Sequence, residues 1–451
     1  MRYKTKQFAI LITIFFSVSA INFGFVFSTL TSNSHTQQIK LINDLKTSTV
    51  YNSNVVIDDT NPVIDWATAK AAGICTGSGT EVDPYIIRDH VFNGFLNIKH
   101  SRKHFSVLNC EFTDTVYGMW ILNVSNGLIE DNHVSNALFG FDIMNCSHIE
   151  FRNNNCSLLG NTGILAQTSN DLSFYSNILS NKLIDGIRLN ILENCIFEGN
   201  TADDNGNSGI KLDNIEDTLI YKNSVAYNGA NGIELTNSDN ITIVDNEAFN
   251  NIVNGIRVFS SDNNRLESNN FHHNGGDGLR VLSGSQLNVL KGNMASFNNL
   301  SGIAFYVNSD DNLIYDNTAS NNEQHGFYIS DSDTNLITMN SANDNTLNGF
   351  QLFLSNRNSI TSNTANNNVN GTNLISSDDN IILGNNLANN IYCYNETNSA
   401  GNVYEENICQ TPAAPGVPFD PFILGLILGL VIGFGSLAAV LILNSLRGRK
   451  E

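Results

Sequence analysis

Apolar positions in the middle of the chain fall on every second residue, in short runs. Ile187 with Leu189, Ile210 with Leu212, and Ile233 with Leu235 form one set, and Arg188, Lys211 and Glu234 stand between them. A period of two belongs to strands, not helices. A second alternation, seen at Ile241 and Ile243 and again at Ile382, precedes an asparagine. Two residues beyond that asparagine comes a small or apolar side chain: Val134, Cys156, Ala202, Val225, Ala248, Ala295, Ala319, Ala342 or Ala365. Each unit therefore predicts three short strands separated by Asn, Asp, Ser and Gly corners.

The unit recurs. Glycines stand at Gly94, Gly118, Gly140, Gly163, Gly186, Gly209, Gly232, Gly255, Gly278, Gly302, Gly326, Gly349 and Gly371, at steps of 22 to 24 residues. A second column is uniform: Asn109, Asn132, Asn154, Asn177, Asn200, Asn223, Asn246, Asn269, Asn293, Asn317, Asn340, Asn363, Asn385 and Asn407. No single unit can bury its own apolar side chains, but stacked units can. The pattern predicts an all-β fold, a single-stranded parallel β-helix of about 13 to 14 coils wound in the usual right-handed sense. At the ordinary strand spacing of about 4.8 Å, the coils between Asn109 and Asn407 make a rod about 60 Å long. Propeller blades need about 40 residues, so the step does not fit them.

The asparagine column predicts a ladder. A side-chain amide both donates and accepts, so one asparagine per coil can bond to the coils above and below. It also tolerates the left-handed backbone of a tight corner. The glycine column marks a corner where φ is positive or where a Cβ would clash.

The two ends differ from the middle. Residues 1–30 carry Arg2, Lys4 and Lys6 before an uncharged run, the form of an export signal, cleaved or kept as an anchor. Residues 31–74 read as polar linker leading into a cap, and 75–93 as the N-terminal cap. Residues 94–410 are the coils. A Pro/Gly-rich stalk follows over 411–420. The uncharged Phe422–Leu443 lies within a predicted membrane span over 421–444. Arg447, Arg449 and Lys450 in the tail, 445–451, place that end in the cytoplasm and the coils outside. An outward domain permits disulfides, and Cys393 with Cys409 would staple the last coil. Cys75 with Cys110 is a second candidate pair, whereas Cys146, Cys156 and Cys195 read as core fillers.

The coils resemble the β-helix repeats shared by many carbohydrate-binding proteins and sugar hydrolases. The resemblance is nearest to the branch named after NosD, the periplasmic maturation factor of a copper enzyme. It rests on repeats such as "NGIELTNSDNITIVDN" and on the opening segment "GSGTEVDPYII" from Gly77. Signal, stalk and C-terminal span together look like a surface protein of archaea. The resemblance implies the fold; members of the branch range from enzymes to scaffolds, so it assigns no reaction.

Chemistry is sparse. Nine histidines and five methionines do not make a copper cluster. The adjacent His272 and His273 would point to opposite sides of a strand, unless a corner relaxes this, and no metal is assigned. Acidic corners such as Asp310 with Asp311 and Asp378 with Asp379 read as solvated turns, with weak Ca2+ binding as the further expectation; no other cofactor is expected. The outward positions of the first strand are richer. One column holds Arg188, Lys211, Glu234, Arg257, Arg280 and Tyr328, and the next holds Asp213, Phe259 and Tyr306. In a chain of formal net charge −20, four cations on one face are a biased use of the few available. Such a face suits an extended, acidic saccharide. The acidic balance argues against nucleic acid. Expected partners are the membrane and polysaccharide or other surface proteins. Two function classes result: a membrane-anchored surface protein that binds glycans or builds an envelope contact without turnover, and a polysaccharide lyase or glycoside hydrolase. The even step leaves no long loops to wall a cleft, which favours the first.

Overall fold

The computed structural model describes residues 48–157 and 160–410. The predicted signal, stalk, membrane span and basic tail lie outside the described residues. Among those described, no helix is long and apolar enough to cross a membrane.

One coil shows how the pattern folds. Ile210–Glu216 forms a strand of the first sheet, Leu219–Tyr221 of the second and Ser224–Ala226 of the third. The next coil repeats them as Ile233–Thr236, Thr242–Val244 and Glu247–Phe249. All the strand ladders are parallel, and equivalent residues meet: Ile210 pairs with Ile233, Ile220 with Ile243, and Val225 with Ala248. These six side chains are fully buried. The result is a β-helix of about 14 turns with one continuous apolar core. Phenylalanines stack along it, with ring centroids 5.0 Å apart for Phe151 and Phe174 and 4.7 Å for Phe174 and Phe197. That is the strand spacing transmitted into the core.

Stacking begins earlier than the glycine column indicates. Thr49–Tyr51 pairs with His90–Phe92, and Val55–Asp58 with Leu96–Ser101, inside the segment read above as linker and cap. The first coil then carries an insertion. Asp65 caps the helix Trp66–Ala71 by accepting the Thr68 N–H at 2.8 Å. Trp66 stacks on Tyr85 at 4.7 Å and donates its Nε1–H to Ser101 Oγ at 3.0 Å. This insertion precedes the first repeat glycine, so the even step could not reveal it.

The asparagine ladder runs from Asn132 to Asn407. Asn177 Oδ1 accepts both the backbone N–H and the Nδ2–H of Asn154, each at 3.0 Å, and Asn154 Nδ2 also donates to Ile129 O at 2.9 Å. Each later rung repeats this arrangement, down to Asn385 with Asn407. Asn109 is not a rung. It is exposed, with φ +49°, and donates to Asp89 Oδ1 at 2.7 Å. Cys110 occupies the ladder position instead, its N–H donating to Asn132 Oδ1 at 3.0 Å. The first full coil is one residue shorter than the column implied. The left-handed turn also falls elsewhere than expected: on Asp131, Asn153, Ser176 and Lys222, each one residue before a rung. The rungs themselves stay on the ordinary side of φ.

The glycine column answers to close approach, not to positive φ. A Cβ on Gly232 would stand 2.6 Å from Gly255 O and 2.9 Å from Ala248 Cβ. Cys393 and Cys409 form a disulfide at the last coil. Cys75 and Cys110 are free and buried, so the second candidate pair does not form.

The ladder makes a specific prediction. Asn246→Ala removes the acceptor of two buried donors on Asn223, an expected loss of about 2–5 kcal/mol. Asn109→Gly lies outside the ladder at a left-handed position and should change stability by less than about 1 kcal/mol. Urea unfolding of the full-length protein, followed by far-UV circular dichroism, compares the two; equal losses would contradict the assignment of the rungs.

Candidate functional site

The first sheet aligns the outward side chains across coils. Arg188 pairs with Lys211, Lys211 with Glu234, Glu234 with Arg257, and Arg257 with Arg280. Ala304 follows Arg280, and Tyr328 follows Ala304. The neighbouring column holds Asp213, Phe259 and Tyr306, with Thr236 and Leu282 between them. All nine predicted residues therefore share one face over seven coils.

The cations are not free. Glu234 Oε1 lies 3.3 Å from Lys211 Nζ and 3.1 Å from Arg257 Nη1. Asp213 stands 3.8 Å from Arg188 Nε, and Asp277 stands 3.5 Å from Arg280 Nε. Four cations thus meet three carboxylates, and the face is close to neutral. Burial raises the Glu234 carboxyl, but Lys211 and Arg257, with hydrogen bonds from Asn231 and Ser208, outweigh it and hold the group below its ordinary value. The guanidinium of Arg257 lies 4.5 Å over the Phe259 ring, and that of Arg280 lies 4.3 Å over Tyr306.

A buried group beneath this face escaped the sequence reading. Asp277 has no exposed side-chain surface. Its Oδ1 accepts the Ser301 N–H at 2.9 Å, and the Tyr306 hydroxyl donates to its Oδ2 at 3.4 Å. Burial raises the Asp277 carboxyl above its usual value, with Arg280 acting in the other direction. Burial, followed by the Asp277 charge, lifts the Tyr306 phenol well above its usual value. Two coils on, His325 stacks on Tyr328 at 5.4 Å, and burial pushes its imidazole down to about 3. Its Nδ1 is buried without a hydrogen-bond partner. A signal was available: from Gly163 onward the residue before each repeat glycine is polar, as Asp185, Ser208, Asn231, Asn254, Asp277, Ser301 and His325, whereas Tyr117 and Phe139 precede the two glycines before it.

The acidic corners serve the backbone. Asp310 Oδ1 accepts the Asp333 N–H, and Asp333 Oδ1 the Asn356 N–H, both at 2.7 Å. Among the described residues, no three His, Cys, Asp or Glu side chains gather as a metal site. The insertion in the first coil does build one low wall. A groove of about 490 Å³ on the second sheet is lined by Glu81, His104, His148, Glu150, Asp171 and Tyr175, among others.

Residues 93–248, 141–290 and 231–388 match, in overlapping segments, the family described as right handed beta helix region. The chain belongs to the right-handed β-helix family. No curated protein matches it in sequence. Among solved structures, this β-helix is similar to the periplasmic alginate epimerase AlgG, at 14% identity and a TM-score of 0.36, over 62% of this chain and 80% of that one. It is similar to the AlgE6 A-module, a mannuronan C-5 epimerase of Azotobacter vinelandii, at 14% identity and 0.38, over 81% and 97%. It is also similar to the Dettilon tailspike protein gp208, at 12% and 0.36, over 54% and 61%. These likenesses are of fold alone.

The charge network predicts a pH dependence. A carboxyl held below its unfolded value contributes stability above that value and loses it as pH falls through the folded one. Glu234→Gln should cost about 1–3 kcal/mol at pH 7, because Lys211 and Arg257 lose their shared partner while keeping partial access to water. The gap to the native protein should close on acidification below about pH 4. Urea unfolding at stepped pH measures it; a gap that widens towards acid would contradict the assigned sign.

Proposed function

We propose that this β-helix is an extracytoplasmic, membrane-anchored surface protein. Its first sheet binds an extended saccharide between Arg188 and Tyr328. The observation that supports this most is the pairing of polar and aromatic groups at strand spacing on one outward, half-buried face. Carboxylates and guanidiniums there can bond sugar hydroxyls, while Phe259, Tyr306 and Tyr328 offer ring surface beside them. The near-neutral balance reduces the preference for acidic chains that the cation column alone implied. A modest preference remains, since Arg188 is nearly half exposed. The C-terminal span and its basic flank would hold the rod to the outer face of the membrane.

A second reading is favoured by Asp277. A buried carboxyl with a raised pKa, touching a tyrosine hydroxyl and an arginine, is an arrangement suited to moving a proton. In that reading the bound saccharide is turned over by a lyase or a hydrolase.

The test uses the purified full-length protein on a panel of acidic and neutral polysaccharides. Binding should weaken at least about tenfold in a double variant, Arg280→Gln with Tyr306→Ala, an amount equal to about 1.4 kcal/mol. Added salt should have only a small effect, because the cations are paired. Unchanged binding in the double variant would remove this face from consideration. Formation of reducing ends or unsaturated products, abolished by Asp277→Asn, would move the second reading to first place.

The orientation is tested separately. Protease added to intact cells should degrade the coils and spare a tag placed after Glu451. Loss of that tag with the membrane intact would overturn the proposed topology.

A further inference from the structure

The adjacent histidines are brought together by the corner that ends the third sheet. The strand Asn270–His272 stops at His272, and His273 takes a left-handed conformation with φ +55°. Residues that would point apart along a strand then share one side. Their Nδ1 atoms stand 2.8 Å apart, with the ring planes at 85°. Each ring is held flat by an aromatic ring of a neighbouring coil. His272 lies on Phe249 at 5.1 Å and 11°, and His273 on Phe297 at 5.3 Å and 9°. The far nitrogen of His272, Nε2, stands 3.1 Å from Glu247 Oε1, which also accepts from Asn270 Nδ2 at 3.3 Å.

We propose that His272 and His273 chelate a divalent transition-metal ion of the copper(II) type through their two Nδ1 atoms, with Glu247 as the outer partner that orients His272. Two imidazole nitrogens, each about 2.0 Å from one ion and at right angles, stand about 2.8 Å apart. That is the cis edge of a square-planar or tetragonal site. A carboxylate on Nε2 keeps the proton on that nitrogen and leaves Nδ1 with a free lone pair facing its neighbour. The two flat ring stacks fix both imidazoles before any ion arrives. No third histidine, cysteine or carboxylate completes a cluster among the described residues, so water fills the remaining positions. A two-nitrogen site open to water suits copper(II), at the top of the divalent affinity series, better than zinc, which takes four ligands in closed structural sites. The same separation would also suit a plain hydrogen bond between the rings, and the experiment separates the two.

Copper(II) is titrated into the purified full-length protein and followed by electron paramagnetic resonance. The expected result is one ion per chain, coupled to two nitrogens. His273→Phe provides the control, because Tyr227 and Phe297 occupy the same corner in other coils at φ +57° and +58° and show that an aromatic ring fits there. This variant should bind at least about tenfold more weakly and show at most one nitrogen coupling. Glu247→Gln should keep both couplings and weaken binding about tenfold, the usual range for an outer partner. A native spectrum with one nitrogen or none, or an affinity unchanged in His273→Phe, would overturn the site. Uptake at several equivalent positions would do the same and would mark an adventitious ion only.

Discussion

Everything regular in this molecule depends on one amide group per coil reaching two donors on the coil before it. An asparagine Oδ1 that must accept both a backbone N–H and an Nδ2–H at about 3.0 Å leaves little freedom in where its coil begins. The groups are buried, so a rung out of place leaves unpaired donors at a cost of about 1–3 kcal/mol each. The ladder therefore acts as a register clamp, and parallel pairing of the three sheets follows from it. Two further asparagine ladders do the same at other corners: one passes through Asn228, Asn251 and Asn274, the other through Asn288, Asn312 and Asn335. From Asn264 to Asn390 the three ladders run side by side, and each holds the step there between 22 and 24 residues.

A strict register has an electrostatic consequence. Outward residues of successive coils stand one strand spacing apart, so like charges in one column cannot avoid each other. Two unit charges about 5 Å apart repel by about 3 kcal/mol at an effective dielectric of 20. Arg188 faces Lys211, and Arg257 faces Arg280, at that spacing. The column is tolerable because carboxylates intervene from three directions. Glu234 lies within the column, Asp213 in the next one, and Asp277 beneath it. The face that looked cationic in the sequence is a neutral network with its partners supplied from neighbouring columns. Column reading along one strand position sees the cations and misses two of their three anions.

The same reasoning shows why some features were legible and others were not. The strand period, the inward residues and the solenoid could be read directly, because a repeated apolar alternation has few physical solutions. Phase was less secure. Asn109 fits the spacing, yet Cys110 holds the rung, since a coil one residue shorter is invisible when both candidates lie within the allowed step. The insertion carrying Trp66 was hidden because it precedes the first repeat. Asp277 and His325 are not legible as buried groups, because a polar residue beside the glycine corner looks like any turn residue until the stacked coils cover it. Two of the three asparagine ladders were equally readable from the same step and were masked by the density of asparagine throughout the chain.

The corners themselves carry the last part of the argument. Each coil places non-glycine residues in the left-handed region, where a single residue costs of order 1 kcal/mol. The ladders on either side hold the backbone there whatever the side chain is. One such corner is occupied in turn by Tyr227, Asn250, His273 and Phe297, all with φ between +54° and +58°. Identity at these positions is released from the fold, because conformation is imposed by the neighbouring rungs and the side chain faces outward. Inward columns are almost wholly apolar and the rungs from Asn132 to Asn407 are all asparagine, but a corner residue can be exchanged for chemistry without moving the backbone. The β-helix thus separates its requirements by column. The buried columns specify the structure, and the outward strand face and the left-handed corners remain available for binding.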